Sequence, residues 1–172
     1  MIVKKKESLG WVKVIAIAII AASLLRSFVF ATSIVQGESM DPTIQDGERL
    51  LFNKVVYLVG EPNRGDIVII KRPIKNYVKR VIALPHETIT VKDKVLYING
   101  ERYTQTFLDS QDLSQTGDFG PVEVPGNSYF VMGDNRLISK DSRNGLGFVT
   151  KEEIIGRSEF VIYPFSEWTF TR

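Results

Sequence analysis

The chain has 172 residues, no cysteine, one histidine and a net charge of +2. The length suits one domain of ordinary size, and the missing thiols exclude disulfides, a cysteine nucleophile, iron–sulfur clusters and thiolate zinc sites. With His86 as the only imidazole, a metal site would have to be built from oxygen ligands alone; no metal and no other cofactor is expected.

Residues 1–10 are polar, with Lys4, Lys5 and Lys6 in a row. From Trp11 to Ala31 the sequence WVKVIAIAIIAASLLRSFVFA is apolar for about 20 residues, about 30 Å as a helix, which matches the hydrocarbon core of a bilayer. Lys13 and Arg26 stand near its two ends, where long side chains can snorkel to the interface. A cleaved leader would have a shorter apolar run, and Arg26 interrupts the place where a small-residue cleavage site should follow. A buried core helix would carry one apolar stripe, whereas here the apolar residues surround the axis. The lysine cluster therefore predicts residues 1–10 in the cytoplasm, 11–31 as a single transmembrane anchor in the cell membrane, and 32–172 as an extracytoplasmic domain. Lys4, Lys5, Lys6, Lys13 and Arg26 against Glu7 give residues 1–31 a charge of +4, so the rest of the chain carries −2. A lipid bilayer is an expected partner, and a nucleic acid is not.

Beyond the anchor the periodicity is that of strands. Ser33–Gln36, Arg49–Phe52, Asp66–Lys71 and Tyr77–Leu84 read as strands, followed by Thr88–Val91, Lys94–Ile98 and Glu101–Gln105 joined through Lys92-Asp93 and Asn99-Gly100. The second of these is a type I′ hairpin signal. Ser128–Met132 and Ser158–Tyr163 add two more strands. Helix is expected only over Phe52–Val59 and at Thr150, where Thr150 and Glu153 resemble a capping box. Residues 105–121 have no period and read as a surface excursion. The expected fold is mainly β, a strand-rich sandwich or barrel-like domain.

Three segments can carry chemistry. Pro42 turns the backbone around Ser39 sharply in Gly37-Glu38-Ser39-Met40-Asp41-Pro42-Thr43, so Ser39 is either a capping loop serine or a nucleophile in need of a base. His86, in Leu84-Pro85-His86-Glu87, is the sole imidazole and otherwise a surface turn residue. Lys79, in Tyr77-Val78-Lys79-Arg80-Val81-Ile82-Ala83-Leu84, is the alternative base: alternation places it on a face with Val81 and Ala83, and burial lowers an ammonium's pKa. It is equally readable as an edge-strand lysine. The third segment, Gly133 to Gly145, is the densest polar stretch, where Asp141 and Arg143 can form a bidentate pair that stiffens the loop. Arg64-Gly65-Asp66 reads as a turn entering a strand.

In their order along the chain these segments resemble the bacterial type I signal peptidases, membrane-anchored Ser/Lys endopeptidases, and in size and single anchor the forms of Gram-positive bacteria. The resemblance implies Ser39 as nucleophile, Lys79 as general base, Ser139 as a serine that hydrogen-bonds and orients the lysine, and Asp141 and Arg143 as a supporting pair. It implies the Ser39 backbone N–H as an oxyanion donor. It also implies exported preproteins as substrates, cut at Ala-X-Ala-like sites and paired as an extended strand with Ser33, Val35, Gln36 and Gly37 on one side and Asn76, Tyr77 and Val78 on the other. Two departures stand out: His86 occupies a turn position where the family usually has glycine, and Gly37 stands where some members supply a serine hydroxyl. The competing readings are a self-cleaving repressor, which the anchor and the lack of a preceding DNA-binding region disfavour, and a non-catalytic anchored β-domain that binds exported chains or envelope partners.

Overall fold

A computed structural model describes residues 3–171. Helix α1 spans Val3–Val29, beginning before the expected boundary at Trp11 and ending before Ala31. It stops because Phe30 and Ala31 are taken into the first ladder, where Phe30 pairs with Asn53 and Ala31 with Phe52. None of the described residues of its segment Gly10–Val29 is buried, and it is the one helix among the described residues long and apolar enough to cross a membrane. Met1 and Ile2, in the stretch expected to be cytoplasmic, lie outside the described residues.

The strands are β1 (Phe30–Ile34), β2 (Arg49–Asn53), β3 (Ile67–Ile70), β4 (Tyr77–Ala83), β5 (Thr88–Lys92), β6 (Val95–Ile98), β7 (Glu101–Arg102), β8 (Phe119–Glu123), β9 (Ser128–Met132), β10 (Val149–Thr150), β11 (Ile154–Tyr163) and β12 (Thr169–Phe170). The larger sheet runs β1-β2-β11-β3-β4-β9-β10, with β12 also paired to β11, and the smaller runs β7-β6-β5-β8. Every pairing is antiparallel. The mainly β expectation is met as a curled half-barrel carrying a second sheet.

Curling follows from what the strands bury. Leu50 of β2, Val161 of β11, Ile67 of β3 and Val78 of β4 converge on Val35, Met40 and Ile44 of the β1–β2 connection. That connection therefore fills the concave side and draws β1 towards β4, although three strands separate them in the sheet. The smaller sheet contributes Ile89, Val91, Leu96 and Ile98 to a second core, against Ile82, Phe130 and Met132 of β4 and β9.

Local differences from the expected elements have physical causes. The β5–β6 turn is Asp93-Lys94, one residue later than expected, because Lys92 pairs with Val95. Both turn residues have positive φ, 51° and 62°, and the Asp118 carboxylate accepts both of their N–H groups at 2.9 and 3.0 Å. Strand β7 stops at Arg102 instead of Gln105, whose side chain accepts a hydrogen bond from Arg136 at 2.6 Å. Phe52 and Asn53 stay in the β2 ladder, so the helix expected from Phe52 is the single turn α2 (Val56–Val59). The period-free excursion contains the turn α3 (Ser110–Ser114), capped by the Asp109 side chain, and runs into β8. The capping box of Thr150 and Glu153 is present and opens a 3₁₀ turn, Lys151–Glu153. Asn99 and Gly100 take the positive φ values of a type I′ turn.

Gly156 marks the tightest approach between β11 and β2: a Cβ there would lie 2.5 Å from the Asn53 carbonyl oxygen and 2.7 Å from a Phe52 ring carbon. Gly156→Ala is expected to lower stability by about 1–3 kcal/mol through overpacking, seen as a lower denaturant midpoint at unchanged m-value.

Candidate active site

The β1–β2 connection closes at its base, where Val35 N–H donates to Glu48 O at 2.8 Å and Gly47 N–H to Val35 O at 3.0 Å. Gly37 turns the chain with φ of 92°, and its N–H is committed to Asp46 Oδ1 at 2.6 Å. Met40 and Ile44 sink into the concave core, which leaves the half-buried Ser39 at the rim. Its carbonyl accepts the Asn135 N–H at 3.2 Å, tying this connection to the one after β9.

Lys79 and Arg80 are neighbours on β4, both almost wholly buried at 1% and 2% exposed, and alternation sends them to opposite faces. Their surroundings differ in kind. Arg80 meets Asp134 with two bonds, Nε to Oδ1 at 2.9 Å and Nη2 to Oδ2 at 2.6 Å, gives a third to the Gly65 carbonyl at 2.9 Å, and lies 4.1 Å over the Phe107 ring. Lys79 instead directs Nζ at the Ser39 hydroxyl, 2.6 Å away. Burial pushes its ammonium down to about 8, against the opposing pull of Asp141 and Asp134. The bulge in the β4–β9 ladder between Val81 and Ala83 breaks the expected common face: Val81 packs with Val68 and Val131, whereas Ala83 joins Ile82 in the other cluster.

After β9 the chain makes the third side of the site. Asp141 holds Arg143 through Oδ1···Nε at 2.9 Å and Oδ2···Nη2 at 2.8 Å, and its Oδ2 also accepts Gly133 N–H at 2.9 Å. Burial would raise the Asp141 carboxyl, but the hydrogen bonds and charge of Arg143 outweigh it and hold the group below the usual carboxylate range. Gly133 has to be glycine: a Cβ would sit 2.2 Å from both the Ser39 carbonyl oxygen and the Ser139 Oγ. Ser139 is fully buried beside Gly133, and the hydrogen bond of the Lys79 amine goes to the Ser39 hydroxyl.

Ser39 and Lys79 lie in a cleft of about 470 Å³. Ser33, Val35, Gln36, Gly37, Asn76, Tyr77 and Val78 all line it, as do Glu38, Lys75, Ile138 and Lys140, which the sequence did not single out. Strand β1 ends the larger sheet, so its outer edge is free, and β4 pairs with β9 only from Arg80 onward. Two unpaired backbone edges thus border the cleft. His86 is exposed in the β4–β5 turn with φ of 66°, and its ring packs over Gly126, so a residue able to tolerate positive φ stands where glycine was expected. Arg64-Gly65-Asp66 is the turn into β3, with Asp66 accepting from Tyr57 Oη and Asn63 N–H. Among the described residues no cluster of His, Asp and Glu could hold a metal ion.

The Arg80–Asp134 pair escaped sequence reasoning, although an arginine inside an otherwise apolar strand demands a buried carboxylate; its partner is 54 positions away. Arg136, whose guanidinium burial lowers to about 10, reaches Gln105 in the same way.

The sequence model of the family described as Signal peptidase, peptidase S26, matches residues 8–163, and the chain belongs to that family of peptidases. Signal peptidase I of Bacillus licheniformis is 51% identical over 95% of this chain and 93% of that protein, and Signal peptidase I T of Bacillus subtilis is 49% identical over 98% and 93%. A crystal structure of a signal peptidase I from Enterococcus faecalis superposes with a TM-score of 0.52 at 34% identity, covering 58% of this chain and 97% of that one. Within the family the chain is of the bacterial type I, Gram-positive kind.

Replacing Arg80 by methionine would leave Asp134 charged and buried without a partner. Arg80→Met is expected to cost about 3–5 kcal/mol of stability, measurable by chemical denaturation.

Proposed function

We propose that this chain is a type I signal peptidase that removes N-terminal signal peptides from exported preproteins through a Ser39 acyl-enzyme, with Lys79 as general base. The observation that carries the reading is the 2.6 Å contact between Lys79 Nζ and Ser39 Oγ at the base of a cleft with two free backbone edges. A serine hydroxyl needs a base to become nucleophilic, and burial lowers the Lys79 amine to about 8, so a working fraction of it is neutral near physiological pH.

Neutral Lys79 takes the Ser39 proton as Oγ attacks the scissile carbonyl, and the Ser39 backbone N–H donates to the developing oxyanion. The lysine then protonates the leaving amine and activates the water that hydrolyses the ester. Asp141 and Arg143, with Gly133 between them and the Ser39 carbonyl, hold the two connections in register. Ser139 is buried beside the same glycine and supports the site by packing.

An extended substrate adds itself to the edges at Ser33–Gly37 and Asn76–Val78, main-chain bonds giving affinity and small pockets selecting alanine-like side chains in an Ala-X-Ala pattern. The bilayer reading rests on Gly10–Val29 and on how closely the domain is tied to it: Lys54 donates its N–H to Val29 O at 2.8 Å and Nζ to Ser27 O at 2.7 Å. Leu58, Val59 and Ile74, 78%, 94% and 96% exposed, project from the same end of the sheet as that junction, as expected of a surface beside lipid. Residues 1–10 on the cytoplasmic side and 32–172 outside complete this arrangement.

Cleavage of a preprotein in detergent tests the reading. Ser39→Ala and Lys79→Ala are each expected to lower kcat/KM at least about a thousandfold, while His86→Ala stays near wild type. Loss of activity in His86→Ala alone would overturn the lysine-base mechanism, and binding without cleavage by the wild type would favour the non-catalytic β-domain. Because the active form of Lys79 is the neutral one, kcat/KM should fall about tenfold per unit as pH drops below about 8 and level off above it; a flat profile would exclude a titrating lysine.

A further inference from the structure

Lys75, Tyr77 and Lys79 line the same cleft. The Lys75 Nζ lies 5.1 Å and the Lys79 Nζ 6.0 Å from the centroid of the Tyr77 ring, so the two nitrogens stand no more than about 11 Å apart. An aromatic ring attracts a cation, and a ring already facing one ammonium offers a second less stabilisation, while the two ammonium charges also repel. We infer that Lys75 is a positioning residue that acts on Lys79 across the Tyr77 ring, disfavouring its protonated form and extending the activity of the cleft to lower pH. This inference rests on the Ser39–Lys79 reading and concerns a residue that touches neither reacting atom.

The other charges around Lys79 sort by element. Asp134 and Asp141 in the connection after β9 favour its cation, while Arg143 in the same connection and Lys75 before β4 oppose it. Arg143 is engaged by Asp141. Glu38 beside Ser39 and Lys140 also border the cleft. Lys75 is exposed, and among the described residues no carboxylate lies within ion-pair distance of its amine. Its positive charge is therefore not cancelled locally.

At 11 Å in a water-like dielectric, one unit charge is worth about 0.3 pH unit of titration, and more where the path runs through protein. The test is the pH dependence of kcat/KM for the full chain in uncharged detergent at low salt, with a soluble Ala-X-Ala peptide as substrate. Lys75→Ala should move the acid limb up by about 0.3 unit or more, Lys75→Glu by about twice that, and Lys75→Arg should leave it in place. In about 1 M salt, where the screening length is about 3 Å, the limbs should converge. The height of kcat/KM reports changed substrate contacts at Lys75, whereas the position of the limb reports Lys79. Limbs that coincide in all four proteins, or that shift equally in Lys75→Ala and Lys75→Arg, would overturn the inference. A wild type with no acid limb, or cleavage that survives Ser39→Ala, would overturn the Ser/Lys reading beneath it.

Discussion

A lysine removed from water has to find a carboxylate or give up its proton easily, and the Lys79 amine meets the Ser39 hydroxyl. Its neighbour Arg80 shows the alternative. The guanidinium cannot be deprotonated, and it is received in a two-pronged pair by Asp134, in the connection after β9. Two adjacent buried cations thus have opposite fates, one fixed as a charge that anchors the connection after β9, the other free to exchange a proton. Strand alternation keeps these two environments on opposite faces of β4.

The separation depends on the curl of the larger sheet. Ser39 belongs to the connection between the first two strands, and Lys79 to β4, which three strands separate from β1. They meet because Met40 and Ile44 bury themselves against Leu50, Ile67 and Val161, so the same apolar packing that closes the sheet delivers the hydroxyl to the amine. The Asn135 N–H on the Ser39 carbonyl and the Gly133 N–H on Asp141 fix the third side. Side chains set on a packed sheet in this way are held in one relative geometry.

Much of this was legible in the residues. The apolar run after Lys4–Lys6, the Asn99-Gly100 hairpin, the turn at Arg64-Gly65-Asp66 and the capping box at Thr150 are local signals, and local signals survive folding. The meeting of Ser39 with Lys79 was legible only because their surrounding segments resemble a known family, since no periodicity links positions 40 apart. Nonlocal choices were not legible: where α1 yields to the β1 ladder, the bulge that turns Ala83 away from Val81, and the pairing of Arg80 with Asp134. Strand β8 was hidden because Gly120 and Pro121 interrupt any alternation there.

The position of β11 has a consequence for how such a chain comes to be folded. Strands β2 and β3 are neighbours in sequence but not in space, because residues 154–163 lie between them. During synthesis the first 150 residues can form hairpins, such as β5–β6 and β3–β4, yet the sheet cannot close until nearly the whole chain has emerged. Contacts of this range fold slowly, since loop entropy is lost before the contacts repay it. Ser39 and Lys79 sit on opposite sides of that late strand. Ser39 and Lys79 are therefore brought together only at the end of the chain's own production, and a nascent or truncated chain has no assembled cleft.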